Sequence, residues 1–200
     1  MSPPQPVRRA TPADVRELAR TLAAAFRGNP WTRWTIDEDD HERRVRETYE
    51  VVLGQLALPF GEVWTTDDRA AVSAWAGAGG DGELARALAR VESQTAALAG
   101  RRAEAAAATA ALLAERRPAR ADCYLTALGV RPERQGQGLG SAALAPGLAR
   151  CDAEGQCAAL DTSDPANLDF HARHGFQVVD EFELPDGGPR MWVMLREPRT

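Results

Sequence analysis

Apolar residues recur every three or four positions over residues 15–26, which predicts an amphipathic helix. Its apolar face is formed by Val15, Leu18, Leu22, Ala25 and Phe26. A Thr-Pro pair at residues 11–12 is typical of a helix start, and the Gly-Asn-Pro run at residues 28–30 is predicted to end this helix. A second helix is predicted over residues 41–56, and residues 31–40 are predicted to form an aromatic and acidic loop.

Short apolar runs bounded by turn residues predict the strands. They cover residues 7–10, 61–66, 70–76, 123–130, 156–162, 176–184 and 189–196. The run CYLTALGV, at residues 123–130, is predicted to be a buried strand. Two pairs of strands, on either side of an Asp-Asp-Arg turn and a Pro-Asp-Gly-Gly turn, are predicted to form hairpins.

Helical segments fill the rest of the pattern. An Ala-rich stretch over residues 83–117 predicts a helix pair broken near Gly100, which either packs against the domain or helps to enclose a substrate. A further helix should run to about residue 154 with a kink at Pro146, and a short helix over residues 165–174 should end at Gly175.

This order of elements predicts an α/β fold with a single mixed central β-sheet flanked by helices, and an Ala-rich helical insertion before the central strand. The length of 200 residues fits one domain, expected over residues 7–197 after a disordered N-terminus at residues 1–6. Residues 76–82, AGAGGDG, are predicted to form a loop.

Composition excludes several classes of function. The net charge is −5, all 24 basic residues are arginine, and they form no dense cluster, so a nucleic-acid partner is not expected. No apolar run approaches a membrane span of about 20 residues, and the N-terminus lacks the apolar core of a signal peptide, so a cytoplasmic protein without a membrane partner is expected. Cys123, Cys151 and Cys157 lack CxxC spacing, which indicates reduced thiols and no metal site.

A glycine-rich stretch, RPERQGQGLGSAAL at residues 131–144, joins the predicted strand 123–130 to the following helix. Free backbone N–H groups at a helix start attract anions, and glycine lets a ligand approach the backbone closely. A Walker loop is excluded because the chain contains no lysine, and the dinucleotide pattern G-x-G-x-x-G fails at Ser141. Gln135, Gly138 and Gly140 instead match [RQ]-x-x-G-x-[GA], which favours a phosphate-bearing cofactor.

Two segments together resemble the GNAT superfamily of acyl-CoA-dependent N-acyltransferases. They are LTALGVRPERQGQGLGSAAL, similar to the family's strand and pyrophosphate loop, and SDPANLDFHARHGF, similar to its later N-x-x-F-Y-x-x-x-G-F segment. The resemblance covers nearly the whole chain and implies a GNAT fold. Within the superfamily, the chain resembles puromycin N-acetyltransferase and its actinobacterial relatives in three outer segments: RTLAAAFRGNPWTRWTIDEDDHERRV, GEVWTTDDRAAVSAWA and GGPRMWVMLREP.

The resemblance implies how acetyl-CoA would bind. The pyrophosphate would lie on the backbone amides of Gln135, Gly136, Gln137, Gly138, Leu139, Gly140 and Ser141. The pantetheine arm would pair with Leu128, Gly129 and Val130 like an added strand, and an amide near Val130 would stabilise the oxyanion. Asn167 would contact the pantetheine or the sulfur, although helix capping is an alternative role.

One position departs from the family pattern. His171 stands where the family usually has a tyrosine that donates a proton, so His171 is the candidate catalytic residue, with a passive polar role as the alternative. The strand 123–130 offers no carboxylate as a base. Glu47, Asp37 and Asp161 could accept a proton through water, or could be ordinary solvated or capping acids.

The acceptor pocket is expected from Trp31, Trp34, Asp37 and Tyr49, in which aromatic faces suit a nucleoside or an aromatic amine. The predicted function is direct acetyl transfer from acetyl-CoA to a small primary amine, such as a puromycin-like aminonucleoside, in antibiotic resistance. Two alternatives are a biosynthetic acyltransferase that uses another acyl-CoA or an acyl carrier protein, and a non-catalytic CoA-binding protein. A monomer or a homodimer is expected.

Overall fold

The computed structural model describes residues 6–77 and 82–199. Two predictions lie mostly outside the described residues. They are the disordered N-terminus at residues 1–6, of which residues 1–5 are not described, and the loop at residues 76–82, of which residues 78–81 are not described. The described part forms one seven-stranded sheet in the order β1-β2-β3-β4-β5-β7-β6. The strands are β1 Val7–Arg9, β2 Gly61–Thr66, β3 Ala71–Gly77, β4 Cys123–Val130, β5 Ala158–Thr162, β6 Gln177–Glu183 and β7 Arg190–Arg196. The predicted mixed α/β fold is confirmed.

The pairing of β4 with β5 shapes the centre of the sheet. This pair is parallel, whereas all other neighbouring strands are antiparallel. Only Cys123 with Ala158 and Tyr124 with Ala159 are paired, so the rest of β4 has no strand partner on its β5 side among the described residues. Backbone groups along residues 125–130 on that edge are therefore free of strand pairing, although the Val130 carbonyl accepts a hydrogen bond from the Gln135 side chain.

A β-bulge interrupts β4 at the same place. Ala74 is paired with Ala127 but Trp75 with Leu125, which leaves Thr126 as the extra residue. The bulge shifts the alternation of side chains by one position. Leu125 consequently packs in the core against α7, while Ala127 packs in the core on the opposite face.

Eight helices cover the two faces of the described sheet. They are α1 Val15–Ala25, α2 Pro30–Thr35, α3 His41–Val52, α4 Leu58–Phe60, α5 Gly82–Ala99, α6 Ala103–Arg116, α7 Leu139–Ala153 and α8 Leu168–Arg173. The loop predicted over residues 31–40 is wrong in part, because residues 31–35 belong to helix α2. Asn29 caps this helix, because its side-chain oxygen accepts hydrogen bonds from the N–H groups of Trp31 and Thr32.

The Ala-rich insertion is a helix pair, α5 and α6, joined by the 3-10 turn Gly100–Arg102. The break falls at Gly100 as predicted, where φ is +62°. Helix α5 packs against α3, and α6 packs against α2. The insertion thus acts as packing on the face that carries α1 and α3.

Candidate active site

A cleft of about 770 Å³ lies between the open half of β4 and the segment that follows β5. All the residues predicted to hold a cofactor line this cleft except Gln137. They are Leu128, Gly129, Val130, Gln135, Gly136, Gly138, Leu139, Gly140, Ser141 and Asn167. Residues that are distant in sequence are thereby brought together around one space.

The glycine loop exposes its backbone to this cleft. Gly136 and Gly138 have left-handed φ angles of +72° and +79°, and a Cβ at either position would meet no other atom within 4 Å. Gly138 precedes α7 and provides no side-chain cap. Among the described residues, the N–H groups of residues 136–141 have no hydrogen-bond partner. With the positive end of the α7 dipole, these N–H groups fit a diphosphate.

Gly129 brings α1 close to the open part of β4. A Cβ on Gly129 would lie 2.8 Å from Leu22 Cδ2 and 3.1 Å from Ala25 Cβ. Glycine therefore allows the helix to pack directly on the strand. Beside it, the Gln135 side-chain amide donates a hydrogen bond of 3.2 Å to the Val130 carbonyl, which fixes the start of the glycine loop.

Asn167 lines the cleft without capping a helix. Asp164 performs the capping instead, since its carboxylate accepts a hydrogen bond of 3.0 Å from the Ala166 N–H. The Asn167 amide donates to Thr162 Oγ1 at 3.5 Å. The alternative role of Asn167 as a capping residue therefore does not apply, and its amide lies where it can contact a ligand.

Two arginines that the sequence analysis did not single out also line the cleft. Arg134 forms an ion pair of 2.6 Å with Asp68, and its Nε donates a hydrogen bond of 3.1 Å to Gln137. Arg173, on α8, is exposed and has no ion pair among the described residues. Flanking a glycine loop, these cations raise the attraction of the cleft for a polyanionic ligand.

His171 lies outside the set of cleft-lining residues. Its ring is 6% exposed and packs edge-on against Phe170 and Phe176, at centroid distances of 5.2 and 5.8 Å. Its Nδ1 is buried and unpartnered among the described residues. Burial lowers the pKa of His171 to about 4, so the ring is neutral near pH 7. This placement does not favour the predicted role as a proton donor.

The four residues predicted for the acceptor pocket do not converge. None of Trp31, Trp34, Asp37 and Tyr49 lines the cleft. The Asp37 carboxylate is held by Arg101 through two contacts of 2.7 Å, which hold its pKa well below the usual range. Asp37 therefore serves the turn between α5 and α6 and is not available to an ammonium group.

The two tryptophans contact other parts of the chain. Trp34 packs against Gly188, where an added Cβ would come within 2.9 Å of the indole, and Arg102 lies 5.2 Å from its ring centroid. The backbone N–H of Trp31 donates to Ser163 Oγ at 3.0 Å, which ties α2 to the segment after β5. The Trp34 contacts and the Trp31 backbone contact are structural, whereas the Trp31 indole Nε1 is buried without a hydrogen-bond partner among the described residues.

Tyr49 comes nearer to the cleft than the other three. Its ring stacks on Phe26 at a centroid distance of 5.5 Å, and Phe26 lines the cleft. On the same side, Tyr124 Oη donates a hydrogen bond to Asp161 Oδ1. Burial raises the pKa of Asp161, and burial together with the Asp161 charge raises the pKa of Tyr49. Glu47, by contrast, pairs with Arg43 at 2.9 Å on the surface of α3.

Within residues 6–77 and 82–199, no group of three or more His, Cys, Asp or Glu side chains is placed to hold a metal ion. No helix in these residues has the length and apolarity needed to cross a membrane. The cleft beside β4 is the candidate active site, because the residues predicted to hold the cofactor line it.

Residues 55–176 match the acetyltransferase (GNAT) family. This range contains β4, the glycine loop and α8. The chain belongs to the GNAT acetyltransferase family. Membership makes this chain an N-acetyltransferase, and the seven-stranded sheet with its flanking helices is the GNAT fold.

Three solved GNAT structures illustrate the likeness of fold. An acetyltransferase from Corynebacterium glutamicum, related to histone acetyltransferase HPA2, is 18% identical with a TM-score of 0.70, over 99% of this chain and 98% of that chain. A polyamine N-acetyltransferase from Drosophila melanogaster is 16% identical with a TM-score of 0.57, over 96% of this chain and 99% of that chain. The PaiA N-acetyltransferase from Thermoplasma acidophilum, solved with coenzyme A, is 13% identical with a TM-score of 0.58, over 96% and 98%.

Proposed function

We propose that this GNAT enzyme transfers an acetyl group from acetyl-CoA to the primary amine of a small molecule. The observation that carries the proposal is the row of N–H groups at residues 136–141, which have no partner among the described residues and all of which except that of Gln137 belong to residues lining a cleft of about 770 Å³. The fold relatives support it, since one was solved with coenzyme A and another forms N-acetylagmatine. When bound, acetyl-CoA supplies the acetyl group as a reactive thioester.

Different residues of the cleft bind different parts of acetyl-CoA. The N–H groups of residues 136–141 and the α7 dipole hold the diphosphate, and Arg134 and Arg173 attract the remaining phosphate charge. The open edge of β4 at Leu128, Gly129 and Val130 offers backbone groups to the amides of an extended arm.

We propose direct transfer within a ternary complex. No cysteine lines the cleft: Cys123 on β4 and Cys151 on α7 are buried, and Cys157, just before β5, is half-buried. A covalent acyl-enzyme therefore has no thiol nucleophile there. The amine attacks the acetyl carbon itself, and its nitrogen must be neutral when it does so.

The acceptor and the setting are further parts of the proposal. A puromycin-like aminonucleoside is the first acceptor to test, because the outer segments resemble puromycin N-acetyltransferase and the stacked Phe26–Tyr49 pair adds aromatic surface beside the cleft. Acetylation of such an amine would inactivate an antibiotic in the cytoplasm. We further propose that residues 7–197 act as a single domain, as a monomer or a homodimer.

Release of free thiol from acetyl-CoA tests the proposed function. The purified protein is incubated with acetyl-CoA and a panel of amines that includes puromycin and agmatine, and products are identified by mass spectrometry. Amine-dependent thiol release with a product heavier by one acetyl group is expected. Equal thiol release with and without amines, for the whole panel, would overturn the proposal.

His171 is tested in the same assay. Its burial and lowered pKa predict that His171→Tyr and His171→Ala change the turnover number little, provided that both variants remain folded. A loss of activity in His171→Ala that His171→Tyr restores would instead support the proton-donor role expected from the family pattern.

A further inference from the structure

A carboxylate stands at the point where β4 and β5 separate. The last paired residues are Tyr124 on β4 and Ala159 on β5. Asp161 follows Ala159 by two residues, so its side chain lies on the same face of the sheet as that of Tyr124. The hydrogen bond from Tyr124 Oη to Asp161 Oδ1 spans the opening between the two strands.

The surroundings of Asp161 differ from those of the other enclosed carboxylates. Asp14 is paired with Arg8 at 2.8 Å and with Arg69 at 2.6 Å, and Asp37 is paired with Arg101 at 2.7 Å. Asp161, which is partly buried, has no ion pair with any described residue, and its Oδ2 has no hydrogen-bond partner among them. A carboxylate removed from water is normally paired with a cation. The Asp161 carboxylate is only partly removed, because its Oδ2 is not fully buried. The charge of the Arg117 guanidinium opposes the rise in the pKa of Asp161 that burial causes, but Arg117 forms no ion pair with it, so the carboxylate has no directly paired cation among the described residues.

The cluster adjoins the cleft through aromatic side chains. Tyr49 lies close enough to Asp161 for the carboxylate charge to raise the pKa of Tyr49. The Tyr49 ring stacks on Phe26, which lines the cleft. No hydrogen bond from the Tyr49 hydroxyl occurs in the described part of the chain. On the outer side, the Arg117 guanidinium lies 3.9 Å from the centroid of the Tyr124 ring and covers it. Asp161, Tyr124 and Tyr49 do not themselves line the cleft; together they form an aromatic recess that adjoins it through Phe26.

We propose that Asp161 receives the protonated primary amine of the acceptor and removes its proton, so that the natural acceptor is a cationic aliphatic amine. Tyr124 is a positioning residue that orients the carboxylate, and Tyr49 lines the recess. This inference rests on the proposed function, and it names the class of acceptor and the base that acts on it.

The proton balance of the step is simple. The ammonium group gives one proton to the Asp161 carboxylate, and the neutral nitrogen then attacks the acetyl carbon. A C–N bond forms, the C–S bond breaks with its electron pair remaining on sulfur, and the thiolate takes a second proton from the nitrogen. Asp161 finally releases its proton to solvent, and no oxidant or further reactant is needed.

Asp161→Asn tests the inference because it keeps the shape of the side chain and removes the charge. The test uses two amines: an aliphatic amine, which is charged at pH 7 because its pKa is near that of lysine (~10), and an aromatic amine that is already neutral. We expect kcat/KM for the aliphatic amine to fall by about 100-fold or more, the range for loss of a general base, while the aromatic amine is changed less than about threefold. The matched control is Asp169→Asn, an exposed acid on α8 outside the cleft lining, which should change neither value.

Tyr124→Phe separates orientation of the carboxylate from proton transfer. It should lower kcat/KM for the aliphatic amine by about 10-fold, mainly in kcat, and should leave the acid limb of its pH profile in place. Asp161→Asn should remove that limb. The charged or titratable groups that face the carboxylate are Tyr124 on β4, Tyr49 on α3 and Arg117 after α6.

The outcomes distinguish the inference from the proposed function. If the wild-type protein acetylates amines and Asp161→Asn does so equally well with both kinds, the role of Asp161 is overturned and the transferase stands. If the wild-type protein binds CoA but acetylates no amine, both are overturned. A variant that unfolds is identified by circular dichroism and by loss of CoA binding, and Tyr124→Phe then decides alone, with unchanged aliphatic kinetics counting against the inference.

Discussion

Replacing Gly138 by alanine probes the anion-binding loop directly. Gly138 has a φ of +79° and precedes α7, and a Cβ there would meet no protein atom within 4 Å. The substitution therefore introduces no clash in the protein. It does impose a left-handed conformation on alanine, which costs roughly 1–2 kcal/mol. The loop can relieve this cost only by turning its N–H groups away from the cleft.

Gly155 provides a matched control at the other end of α7. It too is exposed, has a positive φ of +65°, and would place a Cβ in open space. Gly155→Ala and Gly138→Ala should therefore lower the free energy of unfolding by similar amounts. For a chain of 200 residues, each loss should lower the Tm by about 2–8 °C.

Binding of CoA should separate the two variants. Loss of one hydrogen bond to a charged diphosphate costs about 1.5–3 kcal/mol, which corresponds to a Kd raised by about 10- to 100-fold in Gly138→Ala. Gly155→Ala should bind CoA like the wild-type protein. Isothermal titration calorimetry gives both values. Equal affinities in the two variants would refute the assignment of the diphosphate to this loop.

Three further predictions concern buried groups. Burial raises the pKa of Asp161, so ionisation of its carboxylate destabilises the folded protein. Asp161→Asn should therefore have a higher Tm than the wild-type protein, and this difference in Tm should widen as the pH rises through the carboxylate pKa. A difference in Tm that is constant from pH 4 to 8 would contradict this. Burial lowers the pKa of His171 to about 4, from about 6.5 in the unfolded chain, so protonation destabilises the folded protein. The free energy of unfolding of the wild-type protein should fall by about 3 kcal/mol as the pH falls through this range. Denaturant unfolding of His171→Phe should lack this pH dependence. Gly147→Ala would place a Cβ 2.3 Å from the buried Trp75 indole and should lower the free energy of unfolding in urea by about 1–3 kcal/mol. An unchanged urea midpoint would contradict this, because it would show that the surroundings accommodate the methyl group.

The central strand and the glycine loop are predictable because their signals are local. The apolar run CYLTALGV coincides with β4, Cys123–Val130, and the glycines mark the start of α7. Helix α2 illustrates a local signal that serves two purposes. Asn29-Pro30 ends the preceding helix and also begins α2, with the cap-and-proline pattern that Thr11-Pro12 shows at the first helix.

The polar pairs of the site are not predictable in this way. Tyr124 and Asp161 are 37 positions apart, and Asp37 and Arg101 are 64 apart. No periodic pattern links such residues, because their pairing depends on how the sheet and the α5–α6 insertion come together. The bulge at Thr126, which sets the direction of the β4 side chains, also has no sequence signal of its own.

The central claim is that the backbone N–H groups of residues 136–141 hold the diphosphate of CoA. Amide chemical shifts of the ¹⁵N-labelled protein, recorded during titration with CoA, test this most directly. The account predicts that the largest shift changes occur at residues 136–141 and that they saturate with the calorimetric Kd. Saturable binding with the largest changes elsewhere, and none in this loop, would contradict it.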